Sequence, residues 1–475
     1  MRTQIYSKFD ESVELSAKEI NDLQRGQWEI DCPQMTLESR DEKSPVTFCG
    51  AGYIKQTDNH QFIFKFFSQG AGENFYSALW GKSLLPGELI PESDYFDFRA
   101  IDQIGREWKC ERLLKADTKH TATGEIIFKG NLPEIYCEGE ILVKVECKGS
   151  SLNFHIFENV EIPCNEKTKK VKNIASGAQK STHESRNVWK FSCCGFDFLM
   201  VKEEGNLLKV HTTTKSPQLP EFFSERVIET LQFVLGRPFT AEIQYFRFGN
   251  HTKCVLRSHR YTRTNPRFKP PLRPGLIDAK THKVTTIHHR NLFEKYLKHV
   301  IDYGELSHPL WAQLNAVYEA SDGMFTDAYA LTLTVAIESF LRMEFSALGK
   351  PSENELKLIK AAMKHLKKWD GDTAMKERIM GSIGTFKTPR AGDRLRVLIH
   401  TKAITEEELI SWTRLRNRSA HDYQNNELPT QDFKHHLKKV EVLFYHLIFH
   451  AIGYKGLYVD YSAPGWITKQ YPPSV

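Results

Sequence analysis

The residues best suited to chemistry cluster between Trp412 and Tyr423, where Arg414, Arg416 and Arg418 precede His421 and Asn417 lies among them. An imidazole gives or takes a proton near neutral pH. A guanidinium binds two phosphate oxygens and stabilises the charge that builds on a phosphorane. An amide such as Asn417 orients a 2′-hydroxyl or the imidazole. This set suits an RNA phosphodiester, whose own 2′-hydroxyl is the nucleophile, so the reaction requires no metal. No acidic cluster with metal-ligand spacing appears in the chain. The same residues also fit ordinary structural work: arginine-rich helix faces are common, and a histidine near a helix end often serves as a cap.

The stretch reads as the end of a helix that starts at Glu406. With Leu409 at 0° and about 100° per residue, Arg414, Asn417, Arg418 and His421 fall between about 80° and 180°, on one polar face. Arg416 falls near 340°, in the apolar sector with Trp412, Leu409 and Ala420. An arginine there faces a helix seam or a subunit interface and needs a partner. Glu338, on an earlier predicted helix, is a candidate for a buried salt bridge.

Arg416-Asn-Arg-Ser-Ala-His421 resembles the R-x4–6-H signature of HEPN-domain ribonucleases, including the polar residue directly after the arginine. Glu338 resembles the acidic residue that many such domains carry on an earlier helix, and His421-Asp-Tyr423 resembles the H-x-Y extension of HEPN toxins. The arrangement of a β-rich half before such a domain is similar to that of ApeA-type anti-phage proteins. The resemblance covers about 290–455 and implies metal-independent endoribonuclease activity without a cofactor, in abortive defence against phage. It assigns catalysis to Arg416, Asn417 and His421, with Glu338, Arg414, Arg418 and Tyr423 in support. It further implies RNA, with tRNA as one candidate, as substrate, a homodimer or larger homo-oligomer built through the helical domain, and a phage-derived trigger. Arg414 also satisfies the pattern and shares a face with His421, so the choice between Arg414 and Arg416 stays open. The alternative is a non-catalytic HEPN-like module for RNA binding or dimerisation, joined to a ligand-sensing β domain.

Stepping from these residues to the elements that must hold them, the period of the pattern changes along the chain. The first half alternates with period 2: Leu152, Phe154 and Ile156; Ile141, Val143 and Val145; and the aromatic runs 61–67 and 240–248. This predicts an antiparallel, sandwich-like or barrel-like β domain over 1–255. One helix over 220–236, closed by Gly236, interrupts it, and the polar segment 165–186 reads as a long loop. From about 290 the period is 3.6, with helices expected over 290–302, 308–320, 324–348, 353–368, 373–384, 391–400, 406–421 and 431–453. Ser352 with Glu355 and Thr405 with Glu408 are capping boxes, and Phe433, Leu437, Val440, Phe444, Leu447 and Ala451 form a buried stripe on the last helix. The fold class expected is α+β multidomain, with an all-α bundle over 290–475.

Net charge is +6 over 475 residues, yet His251–Arg290 alone holds ten Lys or Arg and one acid, so the rest is slightly acidic. Prolines 266, 270, 271 and 274 make 256–289 an irregular basic linker. Arg260, Arg263 and Arg267, with Tyr261 and Phe268 for stacking, are candidate RNA contacts there; a solvated linker explains them equally well. The lysines at 360, 364, 367 and 368 read as a solvated face, and His288-His289 and His435-His436 as solvated pairs. His446 and His450 have metal-ligand spacing but apolar neighbours and no third ligand in view. Nine cysteines without a CxxC pair suggest reduced thiols in a cytoplasmic protein; a zinc knuckle from Cys137, Cys147 and Cys164 lacks the usual spacing. No Walker, GxGxxG, HExxH or GxSxG motif is present, and no stretch approaches the length of an apolar membrane span. A composition of 40% apolar and 12% aromatic residues excludes a mainly disordered chain.

Overall fold

The computed structural model describes residues 13–43, 45–69, 89–114, 117–121, 125–140, 149–173, 180–259, 268–276, 285–323, 326–420 and 430–473. The chain divides into two compact units. The first comprises 1–220 and 239–262; the second comprises 221–238 and 263–475.

The first unit is built on an antiparallel sheet. Strands β1 (Glu29–Ser39), β2 (Thr47–Gln56), β3 (Phe62–Gln69), β4 (Phe96–Ile101), β5 (Glu107–Leu113), β6 (Asp117–His120), β7 (Glu125–Leu132) and β8 (Glu134–Glu140) come first. They are followed by β9 (Ser150–Ile156), β10 (Glu166–Asn173), β11 (Lys180–Cys193), β12 (Phe196–Glu203), β13 (Leu207–Thr214), β14 (Ile243–Phe248) and β15 (His251–Arg257). All fifteen join one hydrogen-bonded sheet in the order β10-β11-β12-β13-β9-β14-β15-β8-β5-β4-β1-β2-β3-β7-β6. The ladder therefore runs on without a break where a sandwich would have two sheets. Alternation alone cannot separate these cases, because both bury every second residue.

Leu152, Phe154 and Ile156 are fully buried on β9, as their alternation predicts. The run Ile141, Val143 and Val145 lies outside the described residues. The expected loop over 165–186 is instead largely strand: β10 and β11 form an antiparallel hairpin. The lysine-rich β10 is the sheet edge, where a ladder needs only backbone partners and charge is tolerated. Inside the sheet, Trp28 packs edge-on against Phe62 and Trp108, at 5.6 and 5.8 Å between ring centres, and Phe128 stacks on Phe66 at 4.8 Å. Helix α1 (Ala17–Gln24), capped by the reciprocal Ser16–Glu19 box, adds Leu23 to this core.

The second unit is helical. It contains α2 (Phe223–Leu235), α3 (Ile287–Val300), α4 (Pro309–Ser321), α5 (Thr326–Glu344), α6 (Glu353–Lys367), α7 (Thr373–Thr385), α8 (Ala391–His400), α9 (Glu406–Ala420) and α10 (Thr430–Ala451). A short ribbon of β16 (Gly456–Val459) and β17 (Thr468–Tyr471) follows. The helix expected to interrupt the β half is α2, and it packs with this unit, away from its sequence neighbours. A buried polar network holds it. Glu229 accepts from the Tyr296 hydroxyl at 2.6 Å and lies 2.8 Å from His308 Nε2, while Arg226 donates to the carbonyls of Tyr303, Glu305 and Leu306. Gly236 closes α2 at φ +67°, and a Cβ there would come within 2.2 Å of Pro270.

Part of the expected linker belongs to this unit's core. Phe268 and Leu272 are at most 1% exposed, and Phe268 packs against Tyr318, Phe444 and Tyr445. Phe268 is thus a core residue, not a platform for bases. Helices α6 and α7 contain no buried residue, and the lysines at 360, 364, 367 and 368 are exposed. Both capping boxes form: Ser352 N donates to Glu355 at 2.6 Å, and Thr405 N to Glu408 at 2.7 Å. Among the described residues, no helix is long and apolar enough to cross a membrane.

Candidate active site on the last helix pair

Helix α9 begins at the Thr405–Glu408 box, and its first turn carries Glu406, Glu407 and Glu408, which suit the positive end of the helix dipole. It packs against α10 and α5. Its buried side is marked by Glu408, Ser411, Trp412 and Leu415. Two of these four are polar, and each meets a histidine of α10. Glu408 Oε1 lies 2.9 Å from His446 Nδ1, and Ser411 Oγ lies 3.1 Å from His436 Nδ1. Tyr329 of α5 donates to Glu441 of α10 at 2.9 Å and ties the third helix in.

These polar pairs rotate the buried side of α9 away from the sector that apolar residues alone would define. Arg416 consequently lies at the rim of the seam. Its guanidinium pairs with Glu338 of α5, with the two side chains 43% and 35% exposed, so the pair exists but is not the buried bridge expected. The same guanidinium sits 5.9 Å above the Trp412 ring.

Arg414 is exposed along its length, and its Nη1 lies 3.3 Å from His436 Nε2. Arg418 lies 4.3 Å from the centre of the Phe433 ring and 3.8 Å from Asp327. Asn417 is exposed on the face between Arg414 and Arg418. The structure thus places Glu338, Arg414, Arg416, Asn417 and Arg418 on the last turns of α9 and the facing part of α5. His421, Tyr423 and the basic residues Arg260, Arg263 and Arg267 lie outside the described residues.

The histidine that sequence reasoning passed over is His436. Expected to be solvated, it is 8% exposed. It sits three residues after Phe433 and four before Val440, both members of the buried stripe, so helical spacing alone places it on the packed face. Its pKa is lowered, first by desolvation and then by the positive charges of Arg414 and His435; Asp432 and Glu407 oppose this weakly. His289 is likewise buried, at 1% exposed, and desolvation brings its pKa down to about 4. His446 is buried against Glu408 and the rings of Tyr458 and Tyr471, while His450 is exposed.

A metal-ligand set does exist among the described residues, at a different place. Glu158, Glu242 and His259 of the first unit offer ligand atoms that all lie within 4.8 Å of one another. Their separation in sequence hides them from any spacing rule. Of the proposed zinc cysteines, Cys137 is buried in the sheet opposite Cys254, Cys164 is half-buried, and Cys147 lies outside the described residues.

No family model, curated protein or solved structure matches this chain.

Proposed function

We propose that the helical unit is a HEPN-type endoribonuclease that cleaves RNA by attack of the substrate's own 2′-hydroxyl, in the service of anti-phage defence. The observation that carries this reading is the display of Arg414, Arg416, Asn417 and Arg418 on the closing turns of α9, with Glu338 of α5 beside Arg416. Three guanidinium groups at the end of one helix make a site for a phosphodiester, and the chain continues from them straight to His421.

In this mechanism His421 moves the proton between the 2′-hydroxyl and the leaving 5′-oxygen. Arg416 stabilises the pentavalent phosphate, and Glu338 holds its guanidinium in place until substrate competes for it. Asn417 orients the attacking hydroxyl, and Arg414 and Arg418 hold the flanking phosphates. The product is a 2′,3′-cyclic phosphate. Two copies of α9 facing one another across a homodimer would complete the cleft. In this reading the first unit senses the trigger and restrains the nuclease.

The test uses the purified full chain with labelled tRNA and mRNA, in EDTA. His421→Ala should abolish cleavage while leaving RNA binding and oligomeric state intact. Unchanged cleavage by His421→Ala would sink the enzyme reading.

A second reading rests on one observation. Each arginine of α9 already has an intramolecular neighbour: Glu338 for Arg416, His436 for Arg414, Asp327 and Phe433 for Arg418. Such engagement also suits a non-catalytic RNA-binding or dimerisation module. RNA binding without cleavage by the wild-type protein would favour it.

A further inference from the structure

The strongest cluster outside the helical unit lies at one end of three neighbouring strands. In the ladders, Ile243 of β14 stands opposite His155 of β9 on one side and Leu256 of β15 on the other. Glu158 follows the end of β9, Glu242 precedes β14, and His259 follows β15. The antiparallel order therefore carries all three residues past the same end of the sheet, although they are 84 and 17 positions apart in sequence.

The backbone there is pinned. Arg257 N donates to Glu242 O at 2.9 Å, His259 N donates to His60 O at 3.1 Å, and the Gln61 amide donates to His259 O at 2.5 Å. The side chains are set as well. Phe157 N donates to Glu242 Oε2 at 3.0 Å, which leaves Oε1 turned toward His259 Nδ1, 2.7 Å away. The Glu242 side chain is 4% exposed and that of His259 is 14% exposed.

Two carboxylates and one imidazole within 4.8 Å of one another carry at most one balancing positive charge between them. Burial makes that imbalance costly, because charge in a low-dielectric site must be paired. A divalent cation balances both carboxylates at once. Metal–ligand bonds of about 2.0–2.2 Å set neighbouring ligand atoms about 3 to 3.5 Å apart, which a small opening of the Glu242–His259 contact provides. The hydrogen bond from Phe157 is the kind of outer contact that orients a ligating carboxylate.

We infer that Glu158, Glu242 and His259 form a binding site for a first-row divalent metal ion, of the Zn²⁺ or Mn²⁺ class, in the β unit. A nitrogen ligand with two carboxylates favours these ions over Mg²⁺, which prefers oxygen. Three protein ligands leave a coordination position for water or for an anionic ligand, so the β unit gains a place to hold a small anionic molecule. This inference does not depend on the reading of α9.

The test takes the full chain, stripped with EDTA and dialysed, and titrates it with Zn²⁺, Mn²⁺ and Mg²⁺ by calorimetry, with Co²⁺ absorption reporting the ligand set. The expected result is one tight equivalent of Zn²⁺ or Mn²⁺ and much weaker Mg²⁺ binding. Glu158→Gln and His259→Gln should each weaken the tight site by at least about tenfold, the scale seen when even outer-shell groups of a metal site are lost. Circular dichroism and melting of the metal-free variants identify any that fail to fold. Equal metal uptake by the wild type and a folded Glu158→Gln/His259→Gln variant overturns the inference. So does a wild type that takes up none of these transition ions at millimolar concentration, whatever the variants do.

Discussion

Arg416 of α9 pairs with Glu338 of α5 at the rim of the helix seam, and both side chains keep more than a third of their surface in water. An exposed pair of this kind contributes little stability, on the order of 0 to 1 kcal/mol. The pairing therefore matters for where the guanidinium points more than for how well the unit holds together.

Arg416→Ala should consequently leave the melting temperature within about 2–4 °C of wild type while abolishing RNA cleavage in the proposed nuclease. Glu338→Gln should keep measurable cleavage but raise KM or lower kcat by about tenfold, as the arginine loses its rest position. Full activity in Arg416→Ala together with its loss in Arg414→Ala would move the catalytic role to Arg414.

His436 is held in a depressed pKa range by burial first and by Arg414 second. Removing the arginine removes a positive neighbour and should raise that pKa. An NMR titration of the His436 ring in wild type and Arg414→Ala checks this, and an unshifted or lowered midpoint in the variant contradicts the contact.

His289 illustrates acid sensitivity in the same unit. Its folded pKa of about 4 lies below the ordinary value of 6.5, with desolvation as the main cause. The unfolded chain thus binds a proton at this residue below pH 6.5 that the folded chain refuses until about pH 4. Stability from this group is present above pH 6.5 and is lost as pH falls toward 4, by on the order of 3 kcal/mol. His289→Gln should flatten the fall in calorimetric stability between these limits. His155, pushed down to about 3 by burial, gives the β unit the same direction of dependence.

Glu229 is 2% exposed and meets His308, Tyr296 and, at 3.7 Å, Arg226. Glu229→Ala leaves Arg226 buried without its carboxylate and should cost about 3–5 kcal/mol. Chemical denaturation of the full chain reads this out, and a loss below about 1 kcal/mol would show the network to be dispensable.

How much of the molecule was legible beforehand depends on the range of the interactions involved. The β half and the helical half followed from periods of 2 and 3.6, because alternation and helical spacing are properties of neighbouring residues. The two capping boxes formed as read for the same reason: a cap is closed by residues three positions apart. The α10 stripe was equally local, and it even contained the signal for His436, which its polar character obscured. The polar strands β10 and β11 were missed because an edge ladder is held by backbone groups that leave no mark in side-chain type.

Other features became visible only with the chain folded. That α2 packs with the helical unit rests on Glu229 meeting Tyr296 and His308, 67 and 79 positions away. That Arg416 sits at a rim rather than in a seam rests on Glu408 and Ser411, whose burial is permitted only by two histidines of another helix. Glu158, Glu242 and His259 meet because three antiparallel strands end side by side. The sequence by itself determined the periods, the caps and the row of arginines leading to His421. The tertiary structure decided which charges are buried, which are paired and which converge, because those outcomes depend on contacts between segments that no spacing along the chain encodes.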